Sequence, residues 1–262
     1  LQSLVATQPK FVSIPETHFF DLVTQHIRDI NSISEEELKQ AYAKLNEFMD
    51  FEFSALQKQC IEEELGDGKL SKKELFYYLI KYYCKEKGIG LGSDRIFLEK
   101  TPDHSRVIEE IATIFPAAYF FSIFRHPVIA IQSHREKLLL YKDSYLDLAH
   151  SWVNNVKKVL SFNQRFSDRL FIIQFEEFKL NYKEILQSCF DKMGLEFDQQ
   201  CLSNYTHEAK KIVLPYETWK VSNTEGAFNE SSEEAYVKRI PLLTLLKIQK
   251  IMMNEMNALQ YS

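Results

Sequence analysis

A chain of 262 residues with 45% hydrophobic residues and twenty phenylalanines can form one large α/β domain or two small ones. Its formal net charge of −5, without a basic run, excludes a general nucleic-acid-binding protein. No apolar run reaches the roughly 18 residues that a transmembrane helix needs. The four cysteines are Cys60, Cys84, Cys189 and Cys201. Their spacing fits neither C-x-x-C nor a metal site, which indicates free thiols in a reducing compartment such as the cytoplasm.

The N-terminal residues predict a helix, a short strand and an acidic turn, in that order. Leu1–Ala6 is apolar on one side, which indicates a helix already under way that ends before Pro9. Phe11–Ile14 is a short apolar run typical of a strand, and the run P-E-T-H, whose acid is Glu16, follows it.

Residues 21 to 92 predict a helical region without a catalytic signature. Ser34 with Glu37, and Ser71 with Glu74, have the spacing of capping boxes at helix starts. The helix after Ser71 continues through Cys84, and we expect its aromatic residues to lie in the core. The glycines at 88, 90 and 92 lack the G-x-G-x-x-G order and precede a strand, so they are not a nucleotide fingerprint.

The centre of the chain predicts a parallel sheet. Ile96–Leu98 and Ala118–Phe124 are apolar runs too short for buried helices, and both stop at polar residues and proline. Ser105–Phe115, between them, has apolar residues at helical spacing. Strand, helix and strand with this crossover length form a βαβ unit. Ligands of such sheets bind outside the carboxyl ends of the strands, where Lys100 and Arg125 both lie.

Arg125 begins a pattern that suits an anion. Pro127 fits the first turn of a new helix, and Ser133 falls about two turns into it, on the face of His126. A strand-end arginine, a helix N-terminus and a serine hydroxyl together can bind an anionic group. The alternative is that Arg125 caps its strand and Ser133 faces solvent.

The C-terminal part predicts further α/β elements. They are a helix over 147–166, a buried strand Leu170–Phe175, a helix Tyr182–Met193 closed by Gly194, a helix over 198–211 and a closing helix Pro241–Leu259. Because repeats, low-complexity segments and linkers are absent from the sequence, we expect residues 1–262 to form a single domain.

These motifs, in this order, resemble the sulfotransferase family. The strings are K-T-P-x-H from Lys100, F-P-x-A-x-(apolar)-R-x-P ending at Pro127, a serine eight residues after Arg125, and the E-T at Glu16, as in the bacterial and tyrosylprotein types. Glu176 lies in a run similar to the family's aromatic–Glu–acid–Leu motif. The resemblance implies a three-layer α/β fold with a parallel sheet, like that of P-loop nucleotide hydrolases. It also implies that residues 21–92 are a helical layer that selects the acceptor.

The implied reaction moves a sulfuryl group from 3′-phosphoadenosine 5′-phosphosulfate to a hydroxyl or amine of a small-molecule, glycan or peptide acceptor. By resemblance, Arg125 and Ser133 bind the donor's 3′-phosphate, and a loop with Trp219 and Lys220 closes over the adenine. Trp219 can also be a core anchor. A sulfuryl group carries less charge than a phosphoryl group, so one or two protein cations suffice and we expect no metal. No carboxylate cluster in the sequence argues for Mg²⁺. A eukaryotic member would be expected in the Golgi lumen.

The resemblance also implies catalytic roles. Glu16 would take the acceptor's proton, with His104 as the reserve candidate, and Lys100 would stabilise charge on the bridging oxygen. The alternatives are that Glu16 caps a helix, that Lys100 is a surface lysine paired with Glu99 or Asp103, and that His104 is a local cap partner. His18 stands where peptide-sulfating enzymes have an arginine, which leaves open whether the acceptor is a peptide.

Two other functions remain open from the sequence. One is a small-molecule or nucleoside kinase of the P-loop superfamily, and the other is a non-catalytic nucleotide-binding relative. The family's G-x-x-G-T-[TS] loop is absent from around all seven glycines. We therefore expect about 10–25 residues before Leu1, holding the first strand and this loop, because the first helix would otherwise lack a cap and the sheet would have unpaired edges.

Overall fold

The computed structural model describes residues 1–48, 70–137, 144–212 and 237–261. These residues fall into two compact units. Unit 1 comprises Leu1–Ala117 with Asp198–Glu225, and unit 2 comprises Ala118–Phe197 with Gly226–Ser262. That the chain forms a single domain stays a prediction.

Helices and short parallel strands alternate along the chain. In order they are α1 (Gln2–Ala6), β1 (Phe11–Ser13), a π-helical turn (Phe19–Val23), α2 (Glu35–Phe48), α3 (Lys72–Glu86), β2 (Ile96–Leu98), a 3₁₀ turn (Pro102–Val107), α4 (Ile108–Ile114), β3 (Phe120–Phe124), α5 (Pro127–Lys137), α6 (Tyr145–Phe166), β4 (Leu170–Gln174), α7 (Phe175–Met193), a second 3₁₀ turn (Gln199–Asn204), α8 (Tyr205–Ile212) and α9 (Leu242–Ala258).

In unit 1, β1 and β2 form a parallel pair in which Phe11 lies opposite Ile96 and Ser13 opposite Leu98. Both strands occur where the sequence predicts them. Because they run in the same direction, the residues that follow each strand emerge at one edge. Glu16 and Lys100 therefore lie beyond the same end of the pair.

The helical part of unit 1 surrounds an aromatic core. Phe19, Phe20 and Phe76 contact one another with ring centroids 4.7 to 5.0 Å apart. Each of these rings is buried, which stabilises the fold by roughly 1.5–3 kcal/mol per side chain. Both predicted capping boxes form, since Glu37 and Glu74 accept hydrogen bonds from the backbones of Ser34 and Ser71.

The aromatic residues of α3 are mostly in the core, as expected. Phe76, Tyr82 and Tyr83 are buried, whereas Tyr77 is 46% exposed and packs edge-on against Phe115. The α3 helix also buries Lys72, whose Nζ lies 2.6 Å from Oε1 of Glu110. This ion pair ties α3 to α4.

In unit 2, β3 and β4 form a second parallel pair, with Phe120 opposite Leu170 and Phe124 opposite Gln174. Apolar side chains of α5, α6 and α9 pack into one core next to it. The pairing places the end of β3, which leads to Arg125, beside the start of α7.

Some element boundaries differ from the prediction. The strand after residue 169 ends at Gln174, and α7 begins at once with Phe175. Asn181 has non-helical angles inside α7, so the predicted helix start at Tyr182 coincides with a kink. Gly194 ends α7 with φ of 68°, a left-handed conformation that suits glycine. Cys84, Cys189 and Cys201 are free thiols, as predicted.

Candidate active site

Two buried threonines join the segments that follow β1 and β2. Oγ1 of Thr101 accepts hydrogen bonds from the backbone N–H groups of Thr17 and His18, at 3.1 and 3.2 Å. Both threonine hydroxyls donate to Oε1 of Glu99, at 2.9 Å from Thr17 and 2.5 Å from Thr101. The two strand ends are therefore fixed to each other by hydrogen bonds through Glu99.

Glu99 is a carboxylate that is 14% exposed at its side chain and has a cationic partner. Its Oε2 lies 2.9 Å from Nδ1 of His104. Burial alone would raise the pKa of Glu99, but the hydrogen bonds from His104, Thr101 and Thr17 outweigh burial and lower this pKa. Glu99 is thus held ionised beneath the strand ends.

His104 lies between two carboxylates. Besides Glu99, it faces Asp21, whose Oδ1 is 3.4 Å from Nε2 of the ring. Burial lowers the pKa of His104, yet these two acids raise it overall to about 9, so the ring carries a charge at neutral pH. The backbone N–H of Phe20 lies 3.3 Å from the same Nε2. A protonated Nε2 carries a hydrogen and cannot accept a bond from this N–H. Its partner is therefore Oδ1 of Asp21, to which it donates.

Asp21 also holds His18. Its Oδ2 lies 3.1 Å from Nδ1 of His18, and this hydrogen bond is the main reason why the pKa of His18 is raised. Burial alone would raise the pKa of Asp21, but the hydrogen bonds from His104 and His18 outweigh burial and lower this pKa. His18 has φ of 48°, which is uncommon for a residue other than glycine.

Glu16 continues this arrangement to the surface. Its Oε2 lies 4.0 Å from Nε2 of His18, and its Oε1 contacts Nζ of Lys100. Lys100 is 43% exposed at its side chain and Glu16 is 16% exposed. Basic and acidic side chains therefore alternate along what we call the charge row: Lys100, Glu16, His18, Asp21, His104 and Glu99.

The charge row includes the three predicted catalytic residues, and the surroundings of each differ from the alternatives that the sequence left open. Glu16 does not cap the π-helical turn, whose N-terminal flanking residue is His18. Lys100 pairs with Glu16, while Asp103 pairs with Arg106 at 3.0 Å. His104 is largely shielded from water, with 11% of its side chain exposed, and has a carboxylate beside each ring nitrogen. The sequence did not indicate that His18 and Asp21 connect these groups.

Among the described residues, one group of side chains has the composition of a metal site. Ligand atoms of His18, Asp21 and Asp103 all lie within 4.8 Å of one another. We assign no metal to it, because the hydrogen bond between His18 and Asp21 and the ion pair between Asp103 and Arg106 already explain this proximity.

Unit 2 carries Arg125 and Ser133, the two residues that the sequence predicts to bind the 3′-phosphate. Arg125 follows β3 directly, and its guanidinium lies 5.5 Å from the ring centroid of Phe175. The helix α5 begins at Pro127, as predicted, and Ser133 is partly exposed about two turns into it. Trp219 and Lys220 lie outside the described residues.

Two side chains fix the end of β3. Oε1 of Glu176 accepts a hydrogen bond from the backbone N–H of His126 at 2.9 Å. The hydroxyl of Tyr261 lies 2.7 Å from the carbonyl oxygen of Phe124 and 3.0 Å from Oε2 of Glu176. The sequence motif marked Glu176, but no local signal connects Tyr261, near the end of the chain, with this strand.

An α/β protein with parallel strands and a cation after β2 and after β3 suits a group-transfer enzyme that handles anionic substrates. The family model described as "Sulfotransferase family" matches residues 1–199. The chain therefore belongs to the sulfotransferase family and is a sulfotransferase, as its motifs predict. No curated protein shows significant sequence similarity to it.

Solved structures confirm the predicted α/β sulfotransferase fold. The chain is similar to the sulfotransferase domain from the curacin biosynthetic pathway, with a TM-score of 0.64 and 16% identity over 100% of this chain and 93% of that one. It is also similar to the sulfotransferase domain of the Synechococcus PCC 7002 olefin synthase, with a TM-score of 0.60 and 17% identity over 97% and 89%. Within the described residues, no helix is both long enough and apolar enough to cross a membrane.

Proposed function

We propose that this sulfotransferase moves the sulfuryl group of 3′-phosphoadenosine 5′-phosphosulfate to a hydroxyl or amine acceptor. The observation that carries the proposal is the contact between Glu16 and Lys100 beyond β1 and β2. It places a carboxylate that can accept a proton beside a cation that can stabilise a leaving oxygen.

The reaction is an in-line displacement. The acceptor oxygen forms a bond to sulfur, and the bond between sulfur and the bridging oxygen of the donor breaks. The electron pair of that bond remains on the 5′-phosphate oxygen of adenosine 3′,5′-bisphosphate, where Lys100 offsets the developing charge. Glu16 takes the acceptor's proton. Positioning and electrostatics supply most of the rate in such a transfer.

Arg125 and Ser133 are the proposed donor-binding residues. Arg125 precedes α5, and the N-terminus of a helix attracts anions through its backbone N–H groups. The bond from His126 to Glu176 fixes the backbone next to Arg125. A phosphate group fits this combination of a guanidinium, a helix N-terminus and a hydroxyl.

His104 is better suited to organise the charge row than to act as the base. A base needs an available lone pair, whereas each nitrogen of His104 faces a carboxylate and a pKa of about 9 keeps its ring protonated at neutral pH. We therefore propose Glu16 as the base and His104 as a positioning residue.

Calorimetry with two nucleotides tests the donor. The purified protein should bind adenosine 3′,5′-bisphosphate tightly and ATP much more weakly, whether or not Mg²⁺ is present. A preference for ATP that depends on Mg²⁺ would instead identify a kinase. Binding of neither nucleotide by folded protein would contradict the proposed donor.

A further inference from the structure

His18 has the geometry of a second proton acceptor beside Glu16. Its Nδ1 is engaged by Oδ2 of Asp21 at 3.1 Å, so the neutral ring carries its proton on Nδ1 and its lone pair on Nε2. That Nε2 lies 4.0 Å from Oε2 of Glu16. The side chain of His18 is 27% exposed, compared with 11% for His104.

We propose that the proton that Glu16 takes from the acceptor moves on to Nε2 of His18, which Asp21 holds in place for this purpose. The inference rests on the proposed function, because it needs Glu16 to be the base. It assigns His18 as a catalytic residue and Asp21 as a positioning residue.

The transfer balances without another reactant. The acceptor's proton goes first to Oε2 of Glu16 and then to Nε2 of His18, which becomes an imidazolium with its Nδ1–H still donated to Asp21. Glu16 returns to the carboxylate that pairs with Lys100. An ordinary imidazole binds a proton more tightly than an ordinary carboxylate by about two pK units, so the proton moves in the favourable direction. A small side-chain rotation is enough to shorten the 4.0 Å between Oε2 and Nε2 to hydrogen-bonding distance.

Hydrogen bonds from the backbone hold His18 in the position that this transfer needs. Its N–H donates to Oγ1 of Thr101, and the preceding N–H of Thr17 donates to the same oxygen. These bonds maintain the left-handed φ of 48°. A side chain presented from such a position is fixed on both sides of its ring, by Asp21 at Nδ1 and by Glu16 near Nε2.

The charged groups around His18 set the pH range of its action. Three carboxylates face His18. Asp21 forms a hydrogen bond with it, and Glu16 and Asp103 act through their charge. His104 lies on the far side of Asp21 and is itself a cation. The carboxylates raise the pKa of His18 above its ordinary 6.5, although burial opposes them. Only the neutral ring can accept a proton, so the transfer rate should rise as pH increases through this raised pKa.

The test is the pH dependence of donor consumption in single turnovers, with 3′-phosphoadenosine 5′-phosphosulfate as donor and water in place of the acceptor. Water does not ionise in this pH range, so the acceptor adds no titration of its own. The 3′-phosphate of the donor titrates at about pH 6 with every variant, so the differences between variants report on His18. The variants are His18→Gln and Asp21→Asn, with His207→Gln as the control, since His207 is exposed on α8.

In the wild type and in His207→Gln, the rate should rise with pH through a midpoint above 6.5. His18→Gln should lower the plateau rate about ten- to a hundredfold and remove this rise. Asp21→Asn should move the midpoint down by about one pH unit, because the anionic partner of the ring is lost. ¹⁵N NMR of labelled histidines should show the same downward change in the pKa of His18, together with the proton on Nδ1 in the neutral wild type.

Two results would overturn the inference. If His18→Gln keeps the wild-type midpoint, His18 does not hold the transferred proton although the proposed function stands. If the folded wild type binds the donor but consumes it neither with water nor with phenols, alcohols or amines as acceptors, the proposed function fails and this inference fails with it. Neutral His18 with its proton on Nε2 would also contradict the inference, because Nε2 could then not accept.

Discussion

The strand ends of the two units are built in different ways. Beyond β1 and β2, six basic and acidic side chains alternate and stabilise one another, and most of them are shielded from water. Beyond β3, a single arginine stacks on a phenylalanine ring, and a glutamate and a tyrosine fix the neighbouring backbone. A change in the charge row should therefore affect several groups together, whereas a change near Arg125 should act locally.

The largest effect is expected for Glu16→Gln, which removes the proposed base and keeps the size of the side chain. Turnover should fall by about 10²–10⁴-fold, while the affinity for adenosine 3′,5′-bisphosphate should change little. Steady-state kinetics with calorimetry on the same samples separates the two quantities. If the affinity collapses and turnover per bound donor does not, Glu16 has a structural role.

The next effect is on stability. Glu99→Gln leaves His104 with one anionic partner in a largely shielded position, so the free energy of unfolding should fall by about 3 kcal/mol. Urea denaturation measures this loss. Glu196→Gln is a suitable control, because Glu196 lies outside the charge row in unit 2. Equal stabilities of the two variants would show that the charge row does not hold the strand ends.

The ion pair between His104 and Glu99 also predicts that the stability of the protein depends on pH. The pKa of His104 is raised from an ordinary 6.5 to about 9 in the folded state, so its contribution to stability is complete below pH 6.5 and is lost as pH rises to about 9. Unfolding free energies across this range should decline in the wild type. The decline should be smaller in Glu99→Gln, because the loss of an anionic partner brings the folded pKa of His104 closer to its ordinary value.

Arg125→Ala should weaken the binding of adenosine 3′,5′-bisphosphate by about 1.5–3 kcal/mol, because a charged hydrogen bond to phosphate is lost. Arg165→Ala is the matched control, since Arg165 also stacks on a phenylalanine ring in unit 2. Calorimetry should show a weaker dissociation constant for the first variant alone. Unchanged affinity in folded Arg125→Ala would remove this residue from the donor site.

The smallest effect is expected for Ser133→Ala, at about 0.5–1.5 kcal/mol of binding free energy, because a neutral hydroxyl is lost. Ser151→Ala provides the comparison, since Ser151 is also a partly exposed helix serine of unit 2. If Ser133→Ala loses as much binding free energy as Arg125→Ala, the residues near Arg125 depend on one another as those of the charge row do.

The sequence predicted the features that depend on local signals. Short apolar runs identified β1 and β2, the serine–glutamate spacings identified two helix starts, and Gly194 identified a helix end. The order of the motifs also predicted the family.

The charge row could not be predicted from local signals, because its partners come from separate segments. His18 and His104 meet the same carboxylate only because β1 and β2 pair and the two threonines join their ends. The π-helical turn that carries Asp21 has no distinctive sequence pattern. Tyr261 likewise reaches β3 only through the packing of α9 in the core of unit 2.

The central claim is that the protein consumes 3′-phosphoadenosine 5′-phosphosulfate by transferring its sulfuryl group. The most direct measurement follows ³⁵S from the labelled donor while adenosine 3′,5′-bisphosphate is quantified, with phenols, alcohols, amines and water as acceptors. We predict that the bisphosphate appears in equal amount to the transferred ³⁵S, and that both products nearly vanish in Glu16→Gln. Donor that stays intact on the folded wild type, or equal product from Glu16→Gln, would contradict the claim.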